Sequence, residues 1–181
     1  FHDPSVIYHT TDAGISWATQ STEHRGGLVT VSFYGSKYGW ATGPYWTSHV
    51  TMVVRTTDGG QNWYFVGDWR GVAKSYDFPR TIECIDSMLV LIGSADGRSP
   101  NIYRSTDGGN LWNIDSINSP TYIASISCTD ATHCWACGGS GRIWRYTPSL
   151  LGVHEERIAQ EVEPKVSITV SQRRDVVEVT Y

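Results

Sequence analysis

One eight-residue signature occurs three times in this chain and restricts its fold more than any other feature. It reads Thr10-Thr11-Asp12-Ala13-Gly14-Ile15-Ser16-Trp17, then Thr56-Thr57-Asp58-Gly59-Gly60-Gln61-Asn62-Trp63, then Ser105-Thr106-Asp107-Gly108-Gly109-Asn110-Leu111-Trp112. The aspartates are 46 and 49 positions apart, a period that suits one four-stranded blade of a β-propeller. Each copy is turn chemistry: an Asp side chain accepts N–H bonds from its own turn, and Gly adopts positive φ without a steric penalty. The Trp then opens the next strand, where its ring can cover the hairpin. Asp12, Gly14, Trp17, Asp58, Gly60, Trp63, Asp107, Gly109 and Trp112 are therefore expected to build the fold rather than a reaction site.

A second signature precedes the turn in each repeat. Val31-Ser32-Phe33 with Gly39-Trp40-Ala41-Thr42-Gly43, Ile82-Glu83-Cys84 with Leu89-Val90-Leu91-Ile92-Gly93, and Ile126-Ser127-Cys128 with Cys134-Trp135-Ala136-Cys137-Gly138 read as one hairpin repeated. On this alignment Cys137 matches Thr42 and Ile92. The spacing predicts an all-β fold of four-stranded antiparallel blades. Two blades are complete: strands at 30–34, 38–43, 51–56 and 62–66, and at 81–85, 88–93, 100–105 and 111–115. Two are partial, at 5–10 and 16–20, and at 123–128, 134–138 and 142–147. Arg142-Ile143-Trp144-Arg145-Tyr146-Thr147-Pro148 aligns with Asn101 to Asp107, so Pro148 stands where a fourth aspartate would be. Four blades with two incomplete predict an open arc of a ring, and Phe1-His2-Asp3-Pro4, without an initiating Met, suggests further residues upstream.

The pattern (S/T)-x-D-x-G-x-x-W resembles the Asp box, or bacterial neuraminidase repeat, of sialidases, xyloglucanase-type glycosidases and sortilin-like receptors. With the added G-W-A-x-G hairpin, residues 5 to 148 are most similar to propellers of the photosystem II stability and assembly factor type, widespread in bacterial secreted proteins. The resemblance implies a propeller spanning 1–148. A polar, acidic linker is expected at 149–165. Two alternating strands at 166–181, ending Asp175-Val176-Val177-Glu178-Val179-Thr180-Tyr181, resemble the opening of a type IX secretion sorting domain. They imply a secreted or cell-surface address.

In a meander, successive connections fall on opposite ends of the sheet. If the aspartate turns join the third and fourth strands of each blade, the second-to-third loops and the blade-to-blade crossings share the other end. That end is rich in aromatics interleaved with Asp and Arg: Tyr45, Trp46 and His49, then Asp68, Trp69, Arg70, Asp77 and Arg80, then Asp96 and Arg98. Rings that stack on apolar sugar faces, with carboxylates and guanidinium groups for hydroxyls, suit a carbohydrate; the same groups suit a protein ligand. The alternative is that long loops pack on their own aromatics.

Four cysteines occur. Cys128 and Cys134 end one strand and begin its hairpin partner, a geometry suited to a disulfide, whereas Cys84 and Cys137 read as buried free thiols. Net charge is -4 with no basic stripe, which argues against nucleic acid. No apolar run is long enough to span a bilayer as a helix. No catalytic residue, metal or cofactor is expected. A sialidase-like site would need an Arg triad with a Tyr–Glu pair, and a xyloglucanase-like site two facing carboxylates, for which Asp68, Asp77, Asp86 and Asp96 are available. The expected function is non-catalytic protein or glycan recognition; the alternatives are a fragment of an Asp-box glycoside hydrolase and a purely structural segment of a large surface protein.

Overall fold

The computed structural model describes residues 5–22, 26–45, 50–68, 78–95, 100–117, 121–146 and 160–161. They form β1 (Val6–His9), β2 (Ala18–Ser21), β3 (Thr30–Tyr34), β4 (Tyr38–Tyr45), β5 (Val50–Thr56), β6 (Tyr64–Asp68), β7 (Phe78–Cys84) and β8 (Val90–Ala95). There follow β9 (Asn101–Ser105), β10 (Asn113–Ser116), β11 (Ile123–Asp130), β12 (His133–Gly138), β13 (Ile143–Tyr146) and β14 (Gln160–Glu161). The only helical element among the described residues is a 3-10 turn at Gly139–Gly141. All pairing is antiparallel and sequential: β1-β2, β3 to β6, β7 to β10 and β11 to β14 make four blades. The last blade gains a two-residue fourth strand, Gln160–Glu161 opposite Arg145 and Trp144, inside the segment read from sequence as linker.

The blades approach one another most closely at their first strands, β3, β7 and β11, and spread apart outward, as the ribs of a fan do. Three apolar layers fill the gaps. Ile7 and Leu28 pack on Ala41, Met52, Val54 and Trp63. Trp40 and Val53 meet Ile82, Cys84, Ile92 and Tyr103, and Leu89, Leu91 and Ile102 meet Ile126, Ala136 and Trp144. A middle blade is thus covered on both sides, which is why β9 is buried at every residue and why runs such as Met52-Val53-Val54 are continuously apolar rather than alternating. Strand β1 of the first blade alternates exposed and half-buried residues, because among the described residues a neighbour covers one of its sides only.

Register corrects one detail of the sequence alignment. Trp40 pairs with Arg55, Leu91 with Arg104 and Trp135 with Arg145, so the third blade is offset by one residue from the match suggested by its glycine. Ser94, not Gly93, occupies the place of Gly43 and Gly138. At those two places the crossing from the previous blade presses its backbone against the strand: a Cβ on Gly43 would lie 1.6 Å from the Gly27 carbonyl oxygen, and one on Gly138 1.9 Å from that of Tyr122. Hydrogen bonds from Gly27 N to Pro44 O (3.1 Å) and from Val29 N to Thr42 O (2.9 Å) hold the crossing there. Gly43→Ala should therefore lower stability by about 2 kcal/mol or more, since backbone cannot step aside as a side chain does. Urea unfolding of the two proteins checks this; a midpoint shift within error of zero would refute the close approach.

Candidate functional site

The three aspartate turns share one bonding scheme built around the hydroxyl that opens each copy. Thr10, Thr56 and Ser105 each donate to the carboxylate two residues on at 2.8 Å. The same oxygen accepts the backbone N–H of Gly14, Gly60 or Gly109 at 2.8, 2.9 and 2.8 Å. Asp Oδ1 then accepts the N–H four residues on, from Ser16, Asn62 and Leu111, at 2.9 Å in each case. Ala13, Gly59 and Gly108, and the glycine after each, have positive φ. Ala13 is the one copy in which a side chain bears that conformation. The part played by the hydroxyl was not anticipated, although a Ser or Thr at the first position of every copy was its signal.

The second carboxylate oxygen is also engaged in two copies, by Ser16 Oγ on Asp12 (2.6 Å) and by Asn62 Nδ2 on Asp58 (2.7 Å). These bonds hold both carboxyls well below the ordinary range, from 3.8 to about 2: the Ser16 hydroxyl and amide act chiefly on Asp12, the Asn62 amide and side chain on Asp58. A carboxylate so occupied is a turn-former, with three of its roughly four acceptor sites taken by its own turn.

The turn tryptophans differ according to what precedes them. Trp63 is buried and donates Nε1–H to Gln20 Oε1 of the first blade at 3.1 Å, and Trp112 packs beside Val66 of the second blade. Trp17 closes on its own turn through Gly14 O at 3.1 Å and its ring is exposed. Arg55, also missed, crosses the same seam. Its guanidinium lies 5.0 Å from the Trp40 ring centroid and donates to Gly108 O (3.3 Å) and Ser87 O (3.0 Å) of the third blade. The next seam carries Arg104, Asp115 and Tyr146, with Arg104 Nε 3.4 Å from Asp115 Oδ2 and the Tyr146 hydroxyl donating to the same oxygen. Burial and the Asp115 charge push the Tyr146 phenol far above its ordinary value.

Bonds from Gly59 N to Lys37 O and from Gly108 N to Met88 O, both 2.9 Å, bring first-to-second and third-to-fourth strand turns together at one end. The loop-rich end lies opposite. There Tyr45 ends β4 opposite Val50, and Asp68 ends β6 opposite Met52; the side chains of both lie outside the described residues. So do Trp46, His49, Trp69, Arg70, Asp77, Asp96 and Arg98, and the 162–181 tail.

Arg80 is the described member of that set. It sits at a register shift between Pro79 and Thr81, an extra residue that re-aims its side chain from the innermost strand. The shift recurs between Ile123 and Ser125 of the last blade. Arg80 is exposed, with its guanidinium carbon 5.3 Å from the centroid of the half-exposed Tyr122 ring. Phe78, two residues earlier on the same strand, is also exposed. No sequence signal marks the Arg80–Tyr122 pair, because the two are joined only by the blade-to-blade packing.

Cys128 and Cys134 are direct cross-strand partners with Cα atoms 4.1 Å apart, and they form a disulfide. Cys84 holds the same place in the third blade but faces Val90. It is a buried free thiol donating to Ser32 O at 3.3 Å, and burial pushes it up to about 12. Cys137, expected to be buried, is exposed, because it lies on the side of the last blade that no described neighbour covers. Beyond the disulfide, Asp130 caps the hairpin tip by accepting the Thr132 hydroxyl and amide, both at 2.7 Å, with His133 Nδ1 2.9 Å from its other oxygen. Among the described residues no group of three His, Cys, Asp or Glu side chains is placed to hold a metal, and no helix is long and apolar enough to cross a membrane.

The architecture has relatives among solved structures. The chain is similar to YCF48 bound to a D1 peptide, with 20% identity and a TM-score of 0.52 over 68% of this chain and 38% of that one. It is similar to YCF48 from Cyanidioschyzon merolae at 16% identity and a TM-score of 0.57, over 81% and 45% of the two chains. The fold is an arc of a β-propeller. No protein-family model matches the chain, and no curated protein matches it by sequence. The chain spans less than half the length of either YCF48 structure, and at these identities the likeness is one of fold.

Two outcomes follow for the turns and the hairpin. Groups whose folded values are depressed stabilise the fold fully above their unfolded values, and that contribution disappears as pH falls through the folded ones. For Asp12 and Asp58 the window runs from 3.8 down to about 2. The urea midpoint should fall across it, and the Asp12→Asn/Asp58→Asn double variant should show a shallower fall; an unchanged slope would refute the turn's part in acid unfolding. Replacing Cys128 and Cys134 together by Ser should cost about 2 kcal/mol, the entropy of closing so short a loop, and calorimetry of the two proteins measures it.

Proposed function

We propose that this chain is a non-catalytic recognition module that takes a protein segment at its loop-rich end. The observation that carries the reading is Arg80: exposed at a strand irregularity on the innermost strand and lying against Tyr122, on a frame whose acidic turn residues Asp12 and Asp58 are consumed by their own turns. A guanidinium placed on an aromatic ring keeps its fork of donors free for a carboxylate or a backbone carbonyl. Propeller blades supply a rigid support on which variable loops can carry recognition. The fold likeness to a YCF48 that holds a peptide supports the same direction. Tyr45, Trp46, His49, Asp68, Trp69, Arg70, Asp77, Asp96 and Arg98 are the further candidates for that surface on the sequence reading alone, their side chains lying outside the described residues.

The proposed place of action is extracytoplasmic, supported by the Cys128–Cys134 disulfide, since such bonds persist in oxidising compartments. Screening the immobilised chain against a peptide library and a glycan array tests the reading. Peptide binding that weakens about tenfold or more in Arg80→Glu, equivalent to about 1.4 kcal/mol, with the circular dichroism unchanged, is the expected result. Peptide binding indifferent to both Arg80→Glu and Tyr122→Ala would sink this site, and glycan binding without peptide binding would replace the ligand class.

A further inference from the structure

The seam between the second and third blades holds two buried donors that no acceptor among the described residues meets: the indole Nε1 of Trp40 and the guanidinium Nε of Arg55. They belong to one contact. Trp40 on β4 and Arg55 on β5 are direct cross-strand partners, which sets their side chains on one face of the sheet. The guanidinium carbon lies 5.0 Å from the Trp40 ring centroid, and Trp40 is fully buried. A buried N–H without a partner carries the full penalty of its lost hydration, so two on neighbouring side chains call for a common acceptor.

The next seam shows what kind of group meets such a donor. Arg104 has the place of Arg55, standing opposite Leu91 as Arg55 stands opposite Trp40, and its Nε lies 3.4 Å from the Asp115 carboxylate. Asp115 is paired with Ile102. In the second blade the residue paired with the equivalent Val53 is Gly67, which brings no charge. The terminal nitrogens of Arg55 reach neutral carbonyls, Gly108 O and Ser87 O. The carboxylates beside those carbonyls serve their own turns: Asp107 accepts from Ser105 and Leu111, and Asp86 from the Met88 and Leu89 amides. Glu83 accepts the Cys128 amide across the following seam. Cys84, in the same apolar layer as Trp40, is a neutral thiol, pushed up to about 12 by burial.

We propose that Trp40 Nε1 and Arg55 Nε together hold one small monovalent anion, chloride, within this seam. The anion takes the part that the Asp115 carboxylate plays in the next seam, and it neutralises a guanidinium that is half-buried between blades. A halide suits the surroundings better than water. The layer includes Val53, Ile82, Val90 and Ile92, and a water molecule there needs acceptors for its own hydrogens, whereas a halide needs donors alone. Because the site forms only when the two blades pack, the bound anion stabilises the folded chain by mass action.

Urea unfolding of the full chain at constant ionic strength, with sodium gluconate replaced stepwise by sodium chloride, tests the proposal. The midpoint should rise with chloride and approach the logarithmic slope of one anion per chain, and bromide should substitute for chloride. Trp40→Phe, which keeps a ring beneath the guanidinium and removes the indole N–H, should weaken the apparent chloride affinity about tenfold or more. Arg55→Met, which removes the charge, should abolish the dependence. Crystals grown in sodium bromide supply a readout on the unaltered chain: an anomalous peak beside Trp40 Nε1 and Arg55 Nε is the expected result. A midpoint indifferent to chloride would overturn the proposal. So would a dependence that persists unchanged in Arg55→Met, the mark of a general salt effect, or a water without anomalous signal at that position in bromide.

Discussion

The first three blades are each held at the outer corner by a single side-chain hydroxyl that donates to a carboxylate and accepts from the backbone in the same turn. In the second blade, Thr56 ties Asp58 and Gly60 together while Asp58 reaches forward to Asn62. The turn reverses the chain sharply enough to place Trp63 at the start of the outer strand with its ring on the preceding blade. Without that closure the Trp would not be delivered to the seam. The corner is therefore where local chemistry sets the packing between sheets. Exposed hydrogen bonds of this kind contribute modestly to stability one at a time, but here several fix one geometry that is repeated through the chain.

The seams show how a stack of similar sheets can be filled by dissimilar residues. The second is apolar, with Arg55 lying on Trp40 and reaching across to two carbonyls. The third sets Arg104, Asp115 and Tyr146 at its edge, so the arginine pairs with a carboxylate of its own blade and the neighbour contributes a hydroxyl. In each case the charged head finds acceptors at the margin while the stem covers apolar surface, although Arg55 does so through its two terminal nitrogens only, its Nε being buried without a partner among the described residues. Removing one member would leave a buried charge or phenol without its partner, which costs more than the contact is worth.

The fold was legible because its determinants are local. Strand order and the limits of most strands follow from the turn signature and the hairpin before it, and the Cys128–Cys134 pair follows from its place across a five-residue loop. What was not legible depends on neighbours remote in sequence. The exposure of Cys137 and Trp135 reflects the lack of a covering neighbour among the described residues rather than anything in β12 itself. The one-residue offset of the third blade arose because Gly93 resembles Gly43, whereas the crossing backbone, which actually demands a glycine, presses on Gly43 and Gly138. At the third blade that place is filled by Ser94, whose hydroxyl donates to Asn101 O at 3.3 Å. The sequence placed Arg80 at the loop-rich end, but the ring that supports it comes from the crossing into the next blade.

Division of labour between the two ends follows from these same constraints. At the end where the aspartate turns lie, backbone and side-chain groups are used up in closing corners: the carboxylates of Asp12 and Asp58 have taken their own amides, and Arg55 has taken the next blade's carbonyls. Variation there would damage the frame. At the other end the crossings are fixed by backbone bonds, such as Gly139 N to Tyr122 O at 3.1 Å and Ile117 N to Pro100 O at 3.1 Å, which leave the neighbouring side chains free to differ. Arg80 and Tyr122 occupy that freedom. A binding surface can change at that end without disturbing the seams, because the groups that hold the blades together lie elsewhere.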